Sequence, residues 1–591
     1  MHLTIYDYCV IAFYLVFMFS LGPIYKSFSK TSSDYFRGGG TMLWWIVGIS
    51  SVMTGFSAMA FVGTAAKTYE TGTFYLVLWA CGTAALVFMF FFTAAKYRQM
   101  RVVTAVEAVR DRFGKANEQI FTWLLIPTFL IWGGVGLYAI AVFMSGVFGF
   151  NMEITIISLS AAVVGMTLLG GSWAATAGDF VQMLIVFCIT MLMAFLVLRH
   201  PDIGGFSGLL HKLPDYHFNW TGFARPGVLI FFIVMLFFNQ LMVMNSIAMG
   251  AAKYVFVKTG ADAKKAVLLT IIGLTFVTPL LLIPPAAATI FFPDLTQDYG
   301  NLNNPNEAAY VAMAIKFLPQ GLLGMLICAV FASSLTSMNS SLNTITATFV
   351  RNFYIELIDK KASEQKQIFI GRIFMLVFGV VLVGIALVFK NMKGLQLFDL
   401  MILVAASINI PLSVPTFLGI FIKKTPSWAG WGTMVVGMSA AMISRFFLSN
   451  DLIESSVSGI FTLSTPLSAR ELGDLNIAIT TAIMLLVCNG FFFFSMLFYK
   501  PDEEEKKRVD GFFKRMNTPV DVEKEHGPTY ESDKRQVGVL GNLSLVYGCF
   551  IVLMLLIPNE MKSRLHIAII AAVILGFGIT LKYIAKKYRN G

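Results

Sequence analysis

Hydroxyl side chains are concentrated in the middle of one long apolar stretch of the chain. Ser333 and Ser334 follow Val330 at positions i+3 and i+4, so in a helix the three residues share one face. Thr336 and Ser337 extend this polar strip by a further turn. Hydroxyl and carbonyl oxygens are the ligands that hard cations such as Na+ prefer. The alternative is that each hydroxyl only bonds back to a carbonyl in the preceding turn.

A second apolar stretch, residues 49–72, is small and polar at its centre. The residues that give it this character are Ser50, Ser51, Thr54, Gly55, Ser57 and Ala58. Glycine weakens a helix by about 1 kcal/mol relative to alanine. A helix that breaks inside a membrane frees backbone carbonyls, which transporters use to hold Na+ or H+. Small residues also allow close helix packing, so both interpretations stay open.

Asp179 is a carboxylate near the start of a third apolar stretch, which begins at Thr176. An ionisable group at the edge of a membrane span is a candidate functional residue. A carboxylate in the first turn of a helix also favours the helix dipole, and this simpler role is equally consistent with the position.

The elements that must position these groups are membrane helices. The chain has 591 residues, of which 57% are hydrophobic and 13% charged, and its mean hydropathy is +0.74. Soluble domains are about 45–50% apolar and about 25% charged. This composition indicates a polytopic membrane protein. It excludes soluble multidomain enzymes, disordered proteins and secreted disulfide scaffolds.

Because a span needs roughly 20 apolar residues, we predict about fifteen transmembrane helices. They lie near 3–22, 43–66, 74–97, 120–149, 154–171, 176–199, 227–247, 266–291, 318–345, 369–390, 396–422, 427–448, 477–499, 538–557 and 565–585. An odd number places the termini on opposite sides of the membrane. Most of the 44 Lys and Arg residues lie inside if the N-terminus is outside and the C-terminus is cytoplasmic. The net charge of +11 is then explained by the excess of Lys and Arg in cytoplasmic loops, and no nucleic-acid partner is expected.

The charged segment 500–536 is predicted to be a solvated cytoplasmic linker, with or without one surface helix. The chain contains no GxxxxGK[ST] motif, so no machinery for ATP hydrolysis is visible. We expect no organic cofactor, no catalytic residues and no obligatory protein partner.

Seven segments resemble the sodium:solute symporter family, which includes sodium–glucose, proline and sialic acid transporters. In chain order they are FSAMAFVGTAAKTYETG (56–72), KYRQMRVVTAVEAVRDRFG (96–114), GGVGLYAIAVFMSGVFG (133–149), GGSWAATAGDFVQ (170–182), FNQ (238–240), LPQGLLGMLICAVFASSLTSMNSSLN (318–343) and LGIFIKKTPSWAGWGTMVVG (418–437). Their order and approximate spacing agree with the family over roughly residues 3–450.

The resemblance implies an all-α membrane protein with a LeuT-like 5+5 inverted repeat and extra N- and C-terminal helices. In such folds broken helices line a site near the midplane of the membrane. The implied domains are a first helix and cytoplasmic loop (1–42), a first repeat (43–199), a second repeat (200–422), peripheral helices (423–499), the charged loop (500–536), and two C-terminal helices with a basic tail (537–591).

The resemblance also implies ion ligands. The main Na+ site of the family falls on carbonyls and hydroxyls of Met53, Phe56, Val330, Ser333 and Ser334. A second Na+, present in some members, would use Asp179, Ser333, Thr336 and Ser337. Na+ is thus the expected co-transported ion.

The solute contacts of known members are replaced in this chain. Ala60 and Trp79 stand where galactose-type members carry Gln and Glu, and Phe232 and Thr275 stand where they carry Asn and Lys. Trp132 lies near the Arg position of the sialic acid type. The remaining polar candidates are Thr54, Ser57, Asn239, Gln240 and Asn245.

The sequence therefore predicts a sodium-coupled secondary symporter of the cell membrane that imports a small organic solute by alternating access. Three alternatives remain at this point: a proton-coupled or uncoupled porter of the same fold, a membrane solute sensor, and an intramembrane hydrolase.

Overall fold

The computed structural model describes residues 4–25, 38–56, 58–72, 75–218, 226–300, 302, 304–392, 405–460, 467 and 469–587. These residues form helices joined by short turns. Within them the one β contact is an isolated bridge between Met42 and Val257. The predicted all-α fold is confirmed.

The helices are labelled in chain order. They are α1 Ile5–Tyr25, α2 Trp44–Gly55, α3 Ala58–Phe61, α4 Gly63–Thr71, α5 Tyr75–Phe92, α6 Ala94–Gln99, α7 Ala105–Phe113, α8 Lys115–Phe148, α9 Met152–Arg199, α10 Gly205–Lys212, α11 Pro226–Met244, α12 Gly260–Phe291, α13 Thr296–Tyr299, α14 Ala309–Phe317, α15 Leu322–Thr348, α16 Glu364–Asn391, α17 Ile410–Leu418, α18 Ala429–Phe447, α19 Asn450–Ile460, α20 Ala469–Ser495, α21 Glu503–Met516, α22 Val522–His526, α23 Tyr530–Leu553 and α24 Met561–Lys587. A π-helix, Phe349–Ile358, continues α15.

Apolar helices account for all of the predicted spans. Among the described residues, 9 helices are long and apolar enough to cross a membrane, and the bent pair Trp44–Gly55 and Ala58–Thr71 raises the number to 10. Each predicted span overlaps one of these or one of five shorter apolar helices. The total of fifteen stays a prediction, as do the domain boundaries.

The molecule has two opposite faces. The N-terminal face carries Asp7, Tyr8, Phe148, His200, Phe317 and Gln320, and the loop face carries residues 500–536. Helix α23 connects them. Near its start Gln536 donates to the carbonyl of Thr41, and just after its end Asn559 donates to the carbonyl of Gln320.

Both ends of α9 lie at the N-terminal face. The Phe148 ring just before α9 lies 6.0 Å from that of Tyr8, and His200 just after it lies 5.3 Å from Phe317. A straight helix of its 48 residues would be about 72 Å long, far more than the thickness of a bilayer. The segment therefore turns back on itself, which agrees with the two spans predicted at 154–171 and 176–199.

Helix α15 lies at the centre of the bundle. Within the span Leu322–Ile358, 88% of an apolar stretch of 18 residues is buried inside the protein. Helix α15 packs against α1, α8 and α9. Ser333 and Ser334 thus sit in the protein interior rather than against lipid.

Residues 500–536 contain the surface helix that the prediction allowed, but they are more helical and more closely packed than a solvated linker. Helix α21 packs against α6 and α7, and it buries Val509, Phe512 and Met516. These three apolar residues have the spacing of one helix face. The overall composition of the segment does not reveal this face, because most of the surrounding residues are charged. Arg101 adds a 2.6 Å hydrogen bond to the carboxylate of Glu525.

Candidate functional site

The predicted break in the first core helix is present. Helix α2 ends at Gly55, and the chain bends by 44° before the next helical segment. Phe56 leaves the helical conformation with φ −104° and ψ 62°, and its N–H donates to the carbonyl of Met53 at 3.0 Å. A Cβ atom on Gly55 would lie 3.0 Å from the Leu274 side chain. Glycine thus allows α12 to approach closely where α2 ends.

Ser334 connects this break to α15. Its hydroxyl accepts a 3.0 Å hydrogen bond from the N–H of Ala58, the first residue after the break, and donates to the carbonyl of Val330 at 2.9 Å. Ser333 donates to the same carbonyl at 2.8 Å. The back-bonding predicted as an alternative is therefore real, but Ser334 also binds another helix.

The five residues predicted for the main Na+ site are all buried: Met53, Phe56, Val330, Ser333 and Ser334. Their side chains and backbone offer uncharged oxygens in a part of the protein that excludes lipid and bulk water. Oxygens of this kind bind hard cations. The structure places Ser334 directly at the break, with Ser333 and the Val330 carbonyl beside it.

Asp179 lies on α9, against the part of the first core helix α2 that is nearer the loop face. The Ser50 hydroxyl donates to its Oδ2 atom. The Nζ atom of Lys253 lies 3.6 Å from the same oxygen, 2.7 Å from the Ser50 hydroxyl and 2.7 Å from the Thr54 hydroxyl. Asp179 is thus part of an ion pair and hydrogen-bond cluster, not only a helix-dipole partner.

Sequence reasoning missed Lys253. It lies in the short turn Ala252–Val255 between α11 and α12, and a lysine between spans reads as an ordinary loop charge. Its local sequence gives no sign that the side chain reaches α2. Ser50 was noted for its size and polarity but not linked to Asp179.

The residues predicted for a second Na+ are placed only in part by the structure. The Ser333 hydroxyl bonds to Val330, and the Ser337 hydroxyl is buried without a hydrogen-bond partner among the described residues. The side chain of Thr336 lies outside the described part of the structure. This second set stays a prediction.

The solute candidates lie in several environments. Thr54 accepts from Lys253, Trp132 donates to Asn409 at 3.4 Å, and Thr275 donates to the carbonyl of Ile271. The Trp79 indole N–H is buried, with no acceptor in the described chain. Ala60 on α3 is half-buried, and on α11 Phe232 is buried while Asn239 and Gln240 are half-buried. Ser57 lies outside the described residues.

Asn245 has a structural role. Its buried side chain accepts a hydrogen bond from Thr93 at 2.8 Å and donates to the carbonyls of Ala85 and Leu241. These bonds fix the end of α11 against α5, so the amide is committed to packing rather than to a solute.

Cavities approach the core from both faces. One of about 80 Å³ lies on the loop-face side and is lined by Thr104, Thr176, Asp179, Lys253 and Asn343, among others. Another of about 520 Å³ lies at the N-terminal face, between Phe148, Phe292, Tyr299 and Lys316. Met53, Phe56 and Ser334 are buried and line neither of these two cavities.

The family model described as "Sodium:solute symporter family" matches residues 35–437, more than half of the chain. Among curated proteins, the sodium/sialic acid symporter SiaT of Proteus mirabilis is 22% identical over 482 residues, covering 78% of this chain and 95% of that protein. The sodium/myo-inositol cotransporter 2 of Oryctolagus cuniculus is 25% identical over 480 residues, covering 74% and 69%.

Solved structures show the same fold. A substrate-bound, outward-open Na+-coupled sialic acid symporter matches with a TM-score of 0.69 at 19% identity, covering 84% of this chain and 98% of that chain. Mhp1, a nucleobase-cation-symport-1 family transporter in a closed conformation, matches with a TM-score of 0.50 at 14% identity, covering 80% and 98%. These matches confirm the LeuT-like fold.

Proposed function

We propose, since this chain belongs to the sodium:solute symporter family, that it imports one small organic solute with Na+ bound at the helix break. Sodium-coupled symport across a membrane is the activity of the family. The assignment of the ion to Met53, Phe56, Val330, Ser333 and Ser334 is the proposal.

The observation that carries this proposal is the hydrogen bond between Ala58 and Ser334. It brings a hydroxyl oxygen of α15 to the first residue after the break. Carbonyl oxygens freed at the break and hydroxyl oxygens of α15 would then serve one cation together, although they are far apart in the chain. Na+ does not require a coordination geometry as strict as that of Mg2+. Small movements of these carbonyl and hydroxyl groups would therefore be enough to bind it.

Na+ at this position would stabilise the contact between the broken helix and α15. A solute that binds the state with this contact closed would bind more tightly when Na+ is present. By linkage, such a coupling is typically about 1–3 kcal/mol and acts equally in both directions. The membrane potential would add about 2.3 kcal/mol per charge per 100 mV to the driving force.

The solute differs in chemistry from a monosaccharide or a sialic acid held by charged and amide side chains. Apolar residues or Thr occupy the aligned positions Ala60, Trp79, Trp132, Phe232 and Thr275. We infer a small solute recognised by few hydrogen bonds, with Trp79 as a candidate donor because its buried N–H has no described acceptor.

Uptake into proteoliposomes tests the function directly. Sugars, polyols, monocarboxylates, amino acids and nucleobases would be offered under an inward Na+ gradient, a K+ gradient or a proton gradient. We expect one class to accumulate only with Na+. Accumulation driven by protons in the absence of Na+ would contradict the proposal and favour a proton-coupled porter.

We also infer that the loop face is cytoplasmic, because most Lys and Arg residues then lie inside. Lys524 on this face is 84% exposed. In a background without native cysteines, Lys524→Cys in intact cells should resist a membrane-impermeant maleimide and react after lysis. Labelling of intact cells would reverse the orientation.

A further inference from the structure

The ammonium group of Lys253 is surrounded by oxygens. Its Nζ atom lies 3.1 Å from the carbonyl oxygen of Ser50, 2.7 Å from the hydroxyls of Ser50 and Thr54, and 3.6 Å from a carboxylate oxygen of Asp179. The side chains of Lys253 and Asp179 are only 17% and 4% exposed. A carbonyl, two hydroxyls and a carboxylate are the kinds of ligand that a bound metal cation would use.

The arrangement leaves Asp179 with a cation supplied by the chain itself. Asp179 accepts a hydrogen bond from Ser50, and Ser50 in turn accepts one from Lys253. A Na+ ion at this carboxylate would stand beside the ammonium, and two like charges at such a distance repel each other strongly when they are shielded from water. Na+ could bind Asp179 well only after Lys253 had moved away.

We propose that Lys253 is the cation that neutralises Asp179 and that it keeps a second Na+ from this carboxylate. The protein then binds one Na+, at the helix break. This inference rests on the proposed function, because it presupposes the Na+ site that includes Ser334. Lys253 thereby determines the ion stoichiometry.

The test is the number of ²²Na+ ions bound per purified full-length protein, measured by equilibrium dialysis at fixed pH. Wild type should bind one. Lys253→Met keeps the length of the side chain and removes its charge, so this variant should bind two. Lys253→Arg keeps the charge and should bind one.

Lys258 provides a matched control. It lies five positions along the same connection and forms an ion pair with Asp533 at the loop face, away from Asp179. Lys258→Met should bind one Na+, like wild type. In Lys253→Met/Ser334→Ala, the site at the break is removed and the new site stays, so the count should return to one.

Two outcomes overturn the inference while leaving sodium symport intact: wild type that binds two ions, or a folded Lys253→Met that still binds one. If Lys253→Met does not fold, Lys253→Gln is measured in its place and should also bind two Na+ ions. The number of Na+ ions bound by wild type can refute the inference without any variant. Wild type that binds no Na+ would instead refute the proposed function.

Discussion

Two polar clusters that border the first core helix, α2, handle positive charge in opposite ways. At the break, Ser334 and its neighbours offer uncharged oxygens in the packed core, so this cluster carries a charge only when an ion enters. Deeper toward the loop face, Asp179 is paired with Lys253. Helix α2 thus borders one site that depends on ions from the surrounding solution and another whose cation is covalently attached to the chain. Ionic strength and ion identity should affect them differently.

Removing the carboxylate should have the largest effect on stability. Asp179→Ala leaves the Lys253 ammonium without its anion in a site that is only 17% exposed on the lysine side. Breaking a buried pair in this way costs about 3 kcal/mol. Thermal unfolding in detergent would show a marked fall in Tm. Adding Lys253→Met should recover at least half of it, whereas no recovery would mean that the two side chains do not act as a pair.

A smaller effect is expected from crowding the break without altering an oxygen. The new Cβ of Gly55→Ala would lie 3.0 Å from the Cδ2 atom of Leu274, so the end of that side chain must move slightly. Such overpacking costs about 1 kcal/mol and should also weaken the response to Na+. Leu274→Ala combined with Gly55→Ala should restore that response. If the single variant responds to Na+ like wild type, close packing at Gly55 does not shape the site.

The smallest effect is expected at the loop face. Arg101 and Glu525 form a pair whose side chains are 25% and 29% exposed. Exposed pairs contribute about 0–1 kcal/mol. Glu525→Gln removes only the charge of this pair, because Arg101 keeps its hydrogen bonds to the carbonyls of Arg515, Thr518 and Pro519. This variant should therefore lower the free energy of unfolding by less than about 1 kcal/mol and leave Na+ binding unchanged. A loss as large as that of Asp179→Ala would show that residues 500–536 hold the bundle together.

The first of these clusters was predictable from sequence and the second was not. The hydroxyl residues of α15 are spaced so that they share one face of a helix, and this spacing is visible in the sequence. The small residues around Gly55 are also a local pattern, which predicts a helix that breaks easily. The contact of Lys253 with Asp179 joins residues far apart in the chain and depends on how α2, α9 and the turn after α11 pack. The buried face of α21 was readable at Val509, Phe512 and Met516, but composition obscured it.

The most direct measurement is the shift in Tm when Na+ replaces K+ at constant ionic strength, for wild type, Ser334→Ala and Ser340→Ala. Ser340 lies on α15 as well, but toward the loop-face cavity. Ligand at about 100 times its Kd stabilises a protein by about 2.7 kcal/mol, which such a scan detects. We predict that Na+ raises the Tm of wild type and Ser340→Ala but not of Ser334→Ala. Equal Tm values in Na+ and K+ for wild type, or a full Na+ shift in Ser334→Ala, would contradict a sodium site at the helix break.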